Sequence, residues 1–384
     1  MKIIIVGNYS FPEFSGGVEK HVDNISRVLA DRGHEVKVFV NTLEGTDSIK
    51  RGNLEIYKSN AILRIFTLPV NPLMYWKLKN ALKWADIVHI HIPSLLDAYF
   101  AALLCSMMKK PYLVTYHHHL PLARDDVDSM GRGILYNTLI GFGMKIILPY
   151  VLKNAEIITT PSPDYLKLSE TTKKFNSKSV AVPNGVDIDR YRPGDLTNNE
   201  NKTILFVSNL GPDHRGKGLD ILLNAMKELD SKLIVIGEGD FRHKYMNYAR
   251  DLGVSEKVEF KGKLSEDDLS EYYARCDVCV LPSRRYESFG MTLAEAMACK
   301  KPVVATSIGG LPYTVGDCGI IVPPGDVDAL RDAISRLITD TKHAHLMGER
   351  GYRRVIENFT WKRVAEDNER LYSRIMKRKQ YPIY

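Results

Sequence analysis

The sequence predicts an α/β protein with two domains, each built on a parallel sheet that carries helices on both faces. Short apolar strands alternate with helical stretches, and the alternation restarts after a polar, turn-rich segment at 193–202. A repeated strand–helix–strand order predicts parallel pairing. At 384 residues the chain can bury two hydrophobic cores. We therefore expect a first domain over 1–192 and a second over 203–360.

The predicted strands are apolar runs bounded by polar or turn residues. In the first domain they lie at 3–6, 36–40, 87–90, 112–115 and 156–159. In the second domain they lie at 203–207, 233–236, 258–260, 278–281 and 303–306. Helical periodicity fills the intervals, as at 18–29, where Gly33 supplies a C-terminal cap. A last helical stretch is predicted from 361 to about 379.

Composition excludes several classes of protein. The chain is 44% hydrophobic and 26% charged, which is ordinary for a globular protein. No cluster of Lys and Arg with interleaved aromatic residues indicates a nucleic-acid surface. The apolar run at 134–152 contains polar residues and a proline, so it is a poor transmembrane candidate. The chain starts directly in a strand and has five cysteines, an odd number, so we expect reduced thiols and a cytoplasmic location.

The net charge of +7 lies mostly in the first half, where residues 1–190 hold 23 Lys and Arg against 18 Asp and Glu. This bias fits an anionic substrate or an anionic membrane surface equally well. Lysines stand beside aromatic residues at 75–84 and beside an apolar segment at 145–153. Peripheral association with the inner face of the membrane is therefore an alternative. Ordinary solvated lysines over a core helix would give the same pattern.

The stretch at 282–306 organises the predicted site. A turn-rich loop leads into a helix and then a strand, with Glu287 just before the helix and Glu295 inside it. If the helix begins two residues after Glu287, its first amides form a site for a phosphate. These amides belong to Phe289, Gly290 and Met291. Amides for an anion beside carboxylates for hydroxyls fit a nucleotide sugar, which joins a diphosphate to two polyols.

This stretch resembles the E-x7-E signature of retaining glycosyltransferases, in particular glycosyltransferase family 4 with the GT-B fold. The surrounding text, SFGMTLAEAMA and then PVVAT, makes the match specific. The resemblance implies that Glu287 contacts the donor sugar and Glu295 the nucleotide ribose. It also implies Rossmann-like domains whose sheets face a central cleft, with a C-terminal helix at 361–384 crossing back to the first domain. The donor-binding residues implied here are Glu287, Ser288, Phe289, Gly290, Met291, Thr292 and Glu295.

Two further segments resemble donor-binding loops of the family. Gly16 and Gly17 open the first helix without the G-x-G-x-x-G spacing of a dinucleotide site, and the resemblance assigns them to a phosphate. A loop in the second domain is implied to meet the nucleobase through backbone atoms. Its residues are Gly262, Lys263 and Leu264.

The family holds the leaving diphosphate with an arginine and a lysine. Lys217, followed by a glycine, matches the lysine. Asn209 stands at the arginine position, and a neutral amide does not replace a bidentate cation. Either another cation fills this place or turnover is slow. The candidate cations are His214, Arg215, Arg284 and Arg285.

Five of the eleven histidines follow two predicted strands: His89, His91, His117, His118 and His119. Such a group can supply metal ligands, although no cysteine joins it. In the family a histidine after the T-Y dipeptide lies near the transferred sugar. The resemblance therefore gives His117 a catalytic role. His118 and His119 occupy positions that are usually small or polar in the family, and we expect them to face the acceptor. For His89 and His91, a structural role and a functional role are equally open.

The sequence thus predicts a retaining glycosyltransferase with His117, Glu287 and Lys217 as catalytic residues. It would move a hexose-type sugar from a UDP-, GDP- or ADP-sugar to a hydroxyl of a glycan, lipid or small polyol. We expect no cofactor and no metal, because Lys217 and helix amides would stabilise the leaving group. Front-face attack is favoured, since no nucleophile is evident for a covalent intermediate. The alternatives are a GT-B-fold nucleotide-sugar epimerase and a sugar-nucleotide-binding subunit with impaired turnover.

Overall fold

The computed structural model describes residues 1–9, 16–42, 45–60, 63–65, 68–92, 95–117, 143–163, 165–194, 202–285 and 287–380. They form two compact units, each built on one large sheet. The first unit comprises Met1–Pro183 and the terminal segment from Trp361, and the second comprises Asn184–Thr360. The α/β class and the two parallel sheets predicted from the sequence are confirmed.

The strands of the first unit carry a sheet that is parallel except at one edge. They are β1 (Lys2–Tyr9), β2 (Glu35–Thr42), β3 (Asp47–Arg51), β4 (Leu54–Asn60), β5 (Leu63–Ile65), β6 (Leu68–Val70), β7 (Ile87–Ile92), β8 (Tyr112–Tyr116), β9 (Ile157–Thr160) and β10 (Ser179–Ala181). Eight of them are ordered β10-β9-β8-β7-β1-β2-β4-β3, and β3 runs antiparallel to β4. β5 and β6 form a separate hairpin. β7 and β8 are buried along their whole length, as central parallel strands are.

Helices cover both faces of this sheet. They are α1 (Gly17–Asp31), α2 (Pro72–Leu82), α3 (Leu95–Met107) and α4 (Leu148–Asn154). α1 packs Val22, Ile25 and Leu29 in one core with Ile3 and Ile5 of β1. α2, α3 and α4 pack in a second core with the alternate residues of the central strands. The residues that alternate along β1 therefore enter two different cores.

The second unit repeats the arrangement with a wholly parallel sheet. Its strands are β11 (Thr203–Val207), β12 (Lys232–Ile236), β13 (Val258–Gly262), β14 (Val278–Leu281), β15 (Val303–Thr306) and β16 (Gly319–Val322). Its helices are α5 (Leu219–Ala225), α6 (Arg242–Asp251), α7 (Glu266–Arg275), α8 (Met291–Ala298), α9 (Leu311–Val315), α10 (Val327–Thr339) and α11 (Thr341–Asn358). The strand order is β13-β12-β11-β14-β15-β16.

The last described helix, α12 (Trp361–Gln380), belongs to the first unit and packs against α1. Val364 and Ile375 are buried in the core that also contains α1. At the edge of this contact, Arg32 Nε donates to a Glu369 carboxylate oxygen at 2.7 Å, and His34 Nε2 lies 2.9 Å from the same oxygen. Buried apolar side chains and the ionic contacts of Glu369 therefore hold the terminal helix against α1.

Residues 184–192 group with the second unit, whereas the sequence placed them in the first domain. The physical reason is a backbone hydrogen bond of 2.7 Å from the Val186 amide to the Phe359 carbonyl. The ring of Tyr191 also meets that of Tyr273 edge-on, with centroids 5.6 Å apart. Among the described residues, no helix combines the length and apolar character that a bilayer crossing needs.

Candidate active site

In the second unit, predicted site residues gather where β11 and β14 lie side by side. β11 pairs with β12 on one side and with β14 on the other. The connections from these strands therefore diverge and leave a crevice at the carboxyl edge, where ligands bind in open α/β sheets. The segment after β11 carries Asn209 and Lys217, and the segment after β14 carries Glu287.

The loop that carries Glu287 is held through its backbone. The Gly310 amide donates to the Glu287 carbonyl at 2.7 Å, and Thr314 Oγ1 donates to the Phe289 carbonyl at 2.5 Å. Gly309 approaches so closely that a Cβ would lie 2.2 Å from the Glu287 carbonyl oxygen, and its φ is +56°. Only glycine fits there, so the backbone at Glu287 is fixed by its neighbours.

The Lys217 loop contacts the same segment. The Arg284 amide donates to the Gly216 carbonyl at 2.7 Å. Gly218 has a φ of +80°, and a Cβ on it would lie 2.0 Å from the Pro282 carbonyl oxygen. Lys217 stands between these two contacts, so its backbone is positioned against the loop of the predicted catalytic carboxylate.

Lys217 and Glu287 form an ion pair. Lys217 Nζ donates to Glu287 Oε2, and Ser283 Oγ donates to the same oxygen at 3.5 Å. The two charged side chains are 28% and 13% exposed. Ser288, the next residue of the loop, is half-buried. A partly exposed pair contributes only about 0–1 kcal/mol of stability, so a ligand can replace either partner.

Glu295 is held by Tyr273, which the sequence analysis did not single out. The Tyr273 hydroxyl donates to Glu295 Oε2 at 2.8 Å, and the tyrosine is wholly buried. Burial first, and then the nearby Glu295 carboxylate, raises the pKa of Tyr273 well above its ordinary value. The phenol therefore keeps its proton and serves as a donor. Nothing in local spacing links α7 to α8, which is why the pair escaped prediction.

α8 begins at Met291, so the condition set for the amide site, a helix start near Phe289, is not met. Gly290 caps the helix at a φ of +86°, and the Leu293 amide donates to the Gly290 carbonyl at 3.0 Å. Phe289 is buried in the core instead of opening the helix. The first-turn amides left by helix geometry are those of Met291 and Thr292. Thr292 Oγ1 is buried and has no hydrogen-bond partner within the described ranges.

Asn209 uses its side chain to close its own turn. Its Oδ1 accepts a hydrogen bond of 2.7 Å from the Gly211 amide, so it brings no charge to the crevice. Arg284, one of the candidate replacement cations, lies 2.9 Å from a carboxylate oxygen of Asp220. Its charge is already neutralised.

Two other candidate cations lie near Lys217. Arg285 packs its side-chain stem against Gly216, where a Cβ would lie 2.8 Å from the stem. The Arg215 guanidinium lies 4.5 Å from the centre of the Phe241 ring, a cation–π distance. The stem of Arg285 therefore lies beside the Lys217 turn.

The predicted nucleobase loop lies at the end of β13, two strands away from β11. The Gly237 amide donates to the Gly262 carbonyl at 2.8 Å, and Gly262 is buried with a φ of +72°. Lys263 is exposed, and Leu264 packs against the core. The carboxyl ends of β11 and β13 thus carry the donor residues predicted for this half of the sheet.

In the first unit the corresponding switch point lies between β1 and β7. Gly16 caps α1 without a side-chain cap, and both Gly16 and Gly17 are exposed. A Cβ on Gly16 would lie 2.3 Å from Glu19 Oε2, so this carboxylate folds over the helix end. Burial raises the pKa of Glu19, and a backbone hydrogen bond opposes that rise. A phosphate at these amides would have to displace Glu19.

Next to this switch point lies a buried histidine cluster, consisting of His21, His89, His91 and His117. His91 Nδ1 lies 2.9 Å from His117 Nε2, within hydrogen-bond distance. His89 stacks on His91 with ring centroids 4.1 Å apart, and His21 meets His117 edge-on at 4.7 Å. Burial lowers the pKa of His89 and of His91 well below the ordinary value, so both are neutral.

His21 was missed by the sequence analysis, although a signal existed. It lies on α1 between Val18 and Val22, which define the inward face of that helix. A histidine on the inward face of α1 is expected to contact the neighbouring strands of the sheet. The predicted acceptor residues His118 and His119 lie outside the described residues.

In the described part of the chain, His21, His91 and His117 form a group that could bind a metal ion. Their possible ligand atoms all lie within 4.8 Å of one another. Imidazoles alone can bind zinc or a similar transition metal. However, His91 Nδ1 and His117 Nε2 share a hydrogen bond, so one of these two lone pairs is already used. His91 Nε2, by contrast, is buried and has no hydrogen-bond partner among the described residues.

Comparison with known proteins identifies the family. The model of glycosyl transferases group 1 matches residues 187–354, and the model of glycosyltransferase family 4 matches residues 15–190. The chain belongs to the family 4 glycosyltransferases. As a member it is a transferase of glycosyl groups, which confirms the resemblance carried by the stretch around Glu287 and Glu295.

Relatives of this glycosyltransferase span nearly the same length. N-acetyl-alpha-D-glucosaminyl L-malate synthase of Bacillus anthracis is 26% identical, with 92% of each chain covered. Phosphatidyl-myo-inositol mannosyltransferase of Mycolicibacterium smegmatis is 27% identical over 98% of this chain and 94% of that one.

Solved structures show the same fold as this glycosyltransferase. Sucrose-phosphate synthase of Thermosynechococcus elongatus has a TM-score of 0.77 at 23% identity, covering 98% of this chain and 100% of that one. An Anabaena protein in complex with UDP and glucose has a TM-score of 0.73 at 20% identity, covering 97% and 99%. The GT-B fold expected from the sequence is confirmed.

Proposed function

We propose that this glycosyltransferase moves a hexose-type sugar from a nucleoside-diphosphate sugar to a hydroxyl acceptor and retains the anomeric configuration. The observation that carries the proposal is the Lys217–Glu287 pair at the β11–β14 switch point. A cation and a carboxylate there are what a sugar diphosphate requires, because the phosphate needs positive charge and the sugar hydroxyls need an acceptor.

In this proposal Lys217 and Glu287 pair with each other when no donor is bound. When the donor binds, its diphosphate takes over Lys217 and the sugar hydroxyls donate to Glu287. Glu295, fixed by Tyr273, accepts hydrogen bonds from the ribose. The amides of Met291 and Thr292 at the start of α8 supply further donors for phosphate oxygens. We propose separately that the amides of Gly16 and Gly17, at the start of α1, bind a phosphate once Glu19 moves aside.

Transfer proceeds by front-face attack. The bond between the anomeric carbon and the diphosphate oxygen breaks, and the acceptor oxygen forms its bond on the same face. The leaving phosphate oxygen takes the acceptor proton. Lys217 stabilises the charge that develops on the leaving group, and His117 donates to a hydroxyl of the transferred sugar. We propose that no metal takes part in this step.

Relatives suggest candidates for the donor. One of them is named a GDP-mannose-dependent mannosyltransferase, and the Anabaena neighbour was solved with UDP and glucose. The decisive experiment measures binding of UDP, GDP and ADP by calorimetry, followed by transfer from the corresponding radiolabelled sugars. Specific binding of one diphosphate is expected, with label moving to an acceptor and with the anomeric configuration of the donor retained. Label that stays on the nucleotide as an epimer would contradict the proposal and favour the epimerase alternative.

One observation favours a binding subunit with impaired turnover as the second candidate. Asn209 stands where the family has an arginine, and its side-chain oxygen accepts a hydrogen bond from the Gly211 amide. One positive charge is therefore missing from the crevice. We propose that Arg285, whose stem packs beside the Lys217 turn, supplies that charge. Tight diphosphate binding with no turnover of any donor would support the binding subunit.

We also propose that the acceptor side rests on an anionic membrane surface. α2 exposes Leu73 and Trp76, at 41% and 63%, and continues with exposed Lys79 and Lys83 on the same side. Apolar anchors beside lysines suit the interface, and each lysine contributes about 1 kcal/mol near anionic lipid. Co-sedimentation with anionic vesicles should fall with salt and with Trp76→Ser. Equal recovery in the supernatant with anionic and neutral vesicles at low salt would exclude it.

A further inference from the structure

We propose that the carboxyl edge of β1, β2 and β4 holds a binding site for an uncharged polyol, with Asn8 as the residue that contacts its hydroxyls. All residues of this site belong to the first unit. That the polyol is the hydroxyl acceptor of the transfer reaction rests on the proposed function, whereas the binding itself does not.

The inward face of the sheet turns polar at the ends of two neighbouring strands. Phe39 of β2 is buried in the core that also contains α2 and α3, and Tyr57 of β4 packs against the same core. Because side chains alternate along a strand, Asn41 and Ser59 continue this face two residues later. They are paired in register, and both are wholly buried. Polar groups at this depth need hydrogen-bond partners.

A hydrogen-bond network supplies most of these partners. Asn41 Nδ2 donates to Asp97 Oδ2 at 3.0 Å and to the Asn8 carbonyl at 2.9 Å. The Tyr75 hydroxyl donates to Asp97 Oδ1 at 3.0 Å. Asn71 Nδ2 donates to Asn41 Oδ1 at 3.3 Å. The network therefore ties the carboxyl ends of β1 and β2 to α2 and α3.

Two atoms at this edge lie outside the network. Asn8 Oδ1 and Ser59 Oγ are both buried and have no hydrogen-bond partner within the residues that the structure describes. They belong to β1 and β4, the two strands that flank β2 and its Asn41. Nearly all buried polar atoms in proteins are paired, so two orphaned oxygens on neighbouring strands point to a partner from outside the chain.

A bulge in β1 sets the position of Asn8. Three residue steps from Val6 to Tyr9 match only two steps on β2, so β1 carries one extra residue there. Bulges of this kind re-aim a side chain and are frequent beside ligand sites. Asn8 lies within the bulge and is half-buried. Because the amide torsion of asparagine is soft, its oxygen can turn towards a ligand at the sheet edge.

The chemistry of this edge favours an uncharged polyol. The side-chain amide of Asn8 offers a donor and an acceptor, which matches a pair of hydroxyls on a polyol. Asn8 carries no charge that would hold a phosphate, and the Asp97 carboxylate of the same network repels an anion. Both Asp97 oxygens already accept hydrogen bonds, so a cationic ligand would gain little from them.

Stability separates a binding role of Asn8 from a structural one. Asn41 bonds the backbone carbonyl of Asn8, so truncating the Asn8 side chain leaves the network intact. Asn8→Ala should keep or raise the melting temperature, because it removes a buried oxygen without a partner. Asn41→Ala, which removes the hydrogen bonds to Asp97 and from Asn71, should lower the melting temperature by several degrees.

Binding is measured on the full chain with myo-inositol and methyl α-D-mannoside as uncharged polyols. In protein labelled with nitrogen-15 at asparagine, the side-chain amide signal that Asn8→Ala removes is that of Asn8. We expect a polyol to shift this signal and inorganic phosphate to leave it unchanged. Asn8→Ala should weaken polyol binding about tenfold, the loss of one hydrogen-bonded contact. Asn154→Ala is the matched control, since that amide bonds the Tyr150 carbonyl of its own helix.

Three results would overturn the inference. The first is an Asn8 signal that neither polyol shifts. The second is an Asn8→Ala variant that binds the polyol with native affinity or melts as low as Asn41→Ala. The third is a shift of the Asn8 signal by inorganic phosphate at a lower concentration than by either polyol, since the edge would then be an anion site.

The same experiments separate this inference from the proposed function. If a polyol binds at Asn8 but receives no label from any nucleotide sugar, the proposed function fails and the inference stands. If label moves to an acceptor whose affinity Asn8→Ala does not change, the inference fails and the proposed function stands.

Discussion

The two units hold their site residues by opposite physical means. In the first, His91 and His117 are buried with facing nitrogens 2.9 Å apart, and burial lowers the pKa of His91 well below its ordinary value. In the second, Lys217 and Glu287 form an ion pair at a partly exposed edge. Neutral imidazoles suit an uncharged polyol, and paired charges suit a substrate that carries a diphosphate and hydroxyls together.

The difference teaches how each half can respond to a ligand. The histidine cluster is preorganised, because moving one ring would leave buried nitrogens unpaired. The Lys217–Glu287 pair is easily opened, because solvent already screens part of it. We therefore expect substitutions in the second unit to act on charge and turnover, and those in the first to act on sugar affinity and stability.

The largest effect is expected from Glu287→Gln. The amide keeps the size of the side chain but removes the charge that balances Lys217 and that, in the proposal, accepts hydrogen bonds from the sugar. Transfer should be almost abolished, while nucleoside-diphosphate affinity should stay nearly native. Radiolabel transfer and calorimetry measure the two properties. Glu259→Gln, which alters another ion-paired carboxylate of the same unit, is the matched control. Full turnover in Glu287→Gln would remove that residue from the site.

Lys217→Ala comes next, with turnover expected to fall roughly a hundredfold or more, the scale for one lost transition-state donor. Lys232→Ala, which breaks a surface pair with Glu259, should leave activity native. Native activity should survive EDTA, and Asn209→Arg should raise it if the missing charge limits the rate. Complete loss of activity on chelation would contradict the charge-based account and favour a metal at the histidine cluster.

A smaller effect is expected at Glu295. Glu295→Gln should weaken nucleotide binding without altering the sugar step, because the ribose contact lies away from the reacting carbon. Tyr273→Phe should weaken it by about fivefold, the loss of one positioning hydrogen bond. The double variant should be no weaker than Glu295→Gln alone, since the tyrosine acts through that carboxylate. Additive losses would show that Tyr273 has an independent role.

The smallest effect is expected in the pH dependence of stability, which tests whether the buried His89 and His91 are uncharged in the folded protein. Burial lowers the pKa of His89 and His91 in the folded state below the ordinary 6.5. Below about pH 6.5 the unfolded chain binds more protons than the folded one. The free energy of unfolding therefore decreases as the pH is lowered below this value, and the contribution of the two histidines to stability is complete above it. Each histidine contributes at most about 1.4 kcal/mol per pH unit. Urea unfolding between pH 7.5 and 5.5 should show this slope, and the His89→Gln/His91→Asn double variant should flatten it.

Sequence reasoning predicted those parts of the candidate site whose residues lie close together along the chain. The strand–loop–helix around Glu287 and the Lys217 turn each lie within one segment, and their order along the chain predicted the parallel sheets. The pairing of Lys217 with Glu287 follows from the switch-point rule once the strand order is known.

What sequence reasoning missed depends on contacts between distant segments. Tyr273 meets Glu295 across two elements, and His21 reaches His117 from a helix nearly a hundred residues earlier. Periodicity marks His21 as inward-facing but cannot say what it faces. The turn closed by Asn209 was equally hidden, because an asparagine can bind a ligand or its own backbone with the same oxygen.

The packing of α12 also sets the order in which the protein can be completed. The first unit needs Tyr372 to bond His89 and Val364 to fill its core, and both residues follow Thr360 in the chain. During synthesis the ribosome therefore finishes the entire second unit before the first can bury its histidines. The unit that is made first is completed last, so a chain cut short after the second unit would lack the helix that completes the core of the first unit.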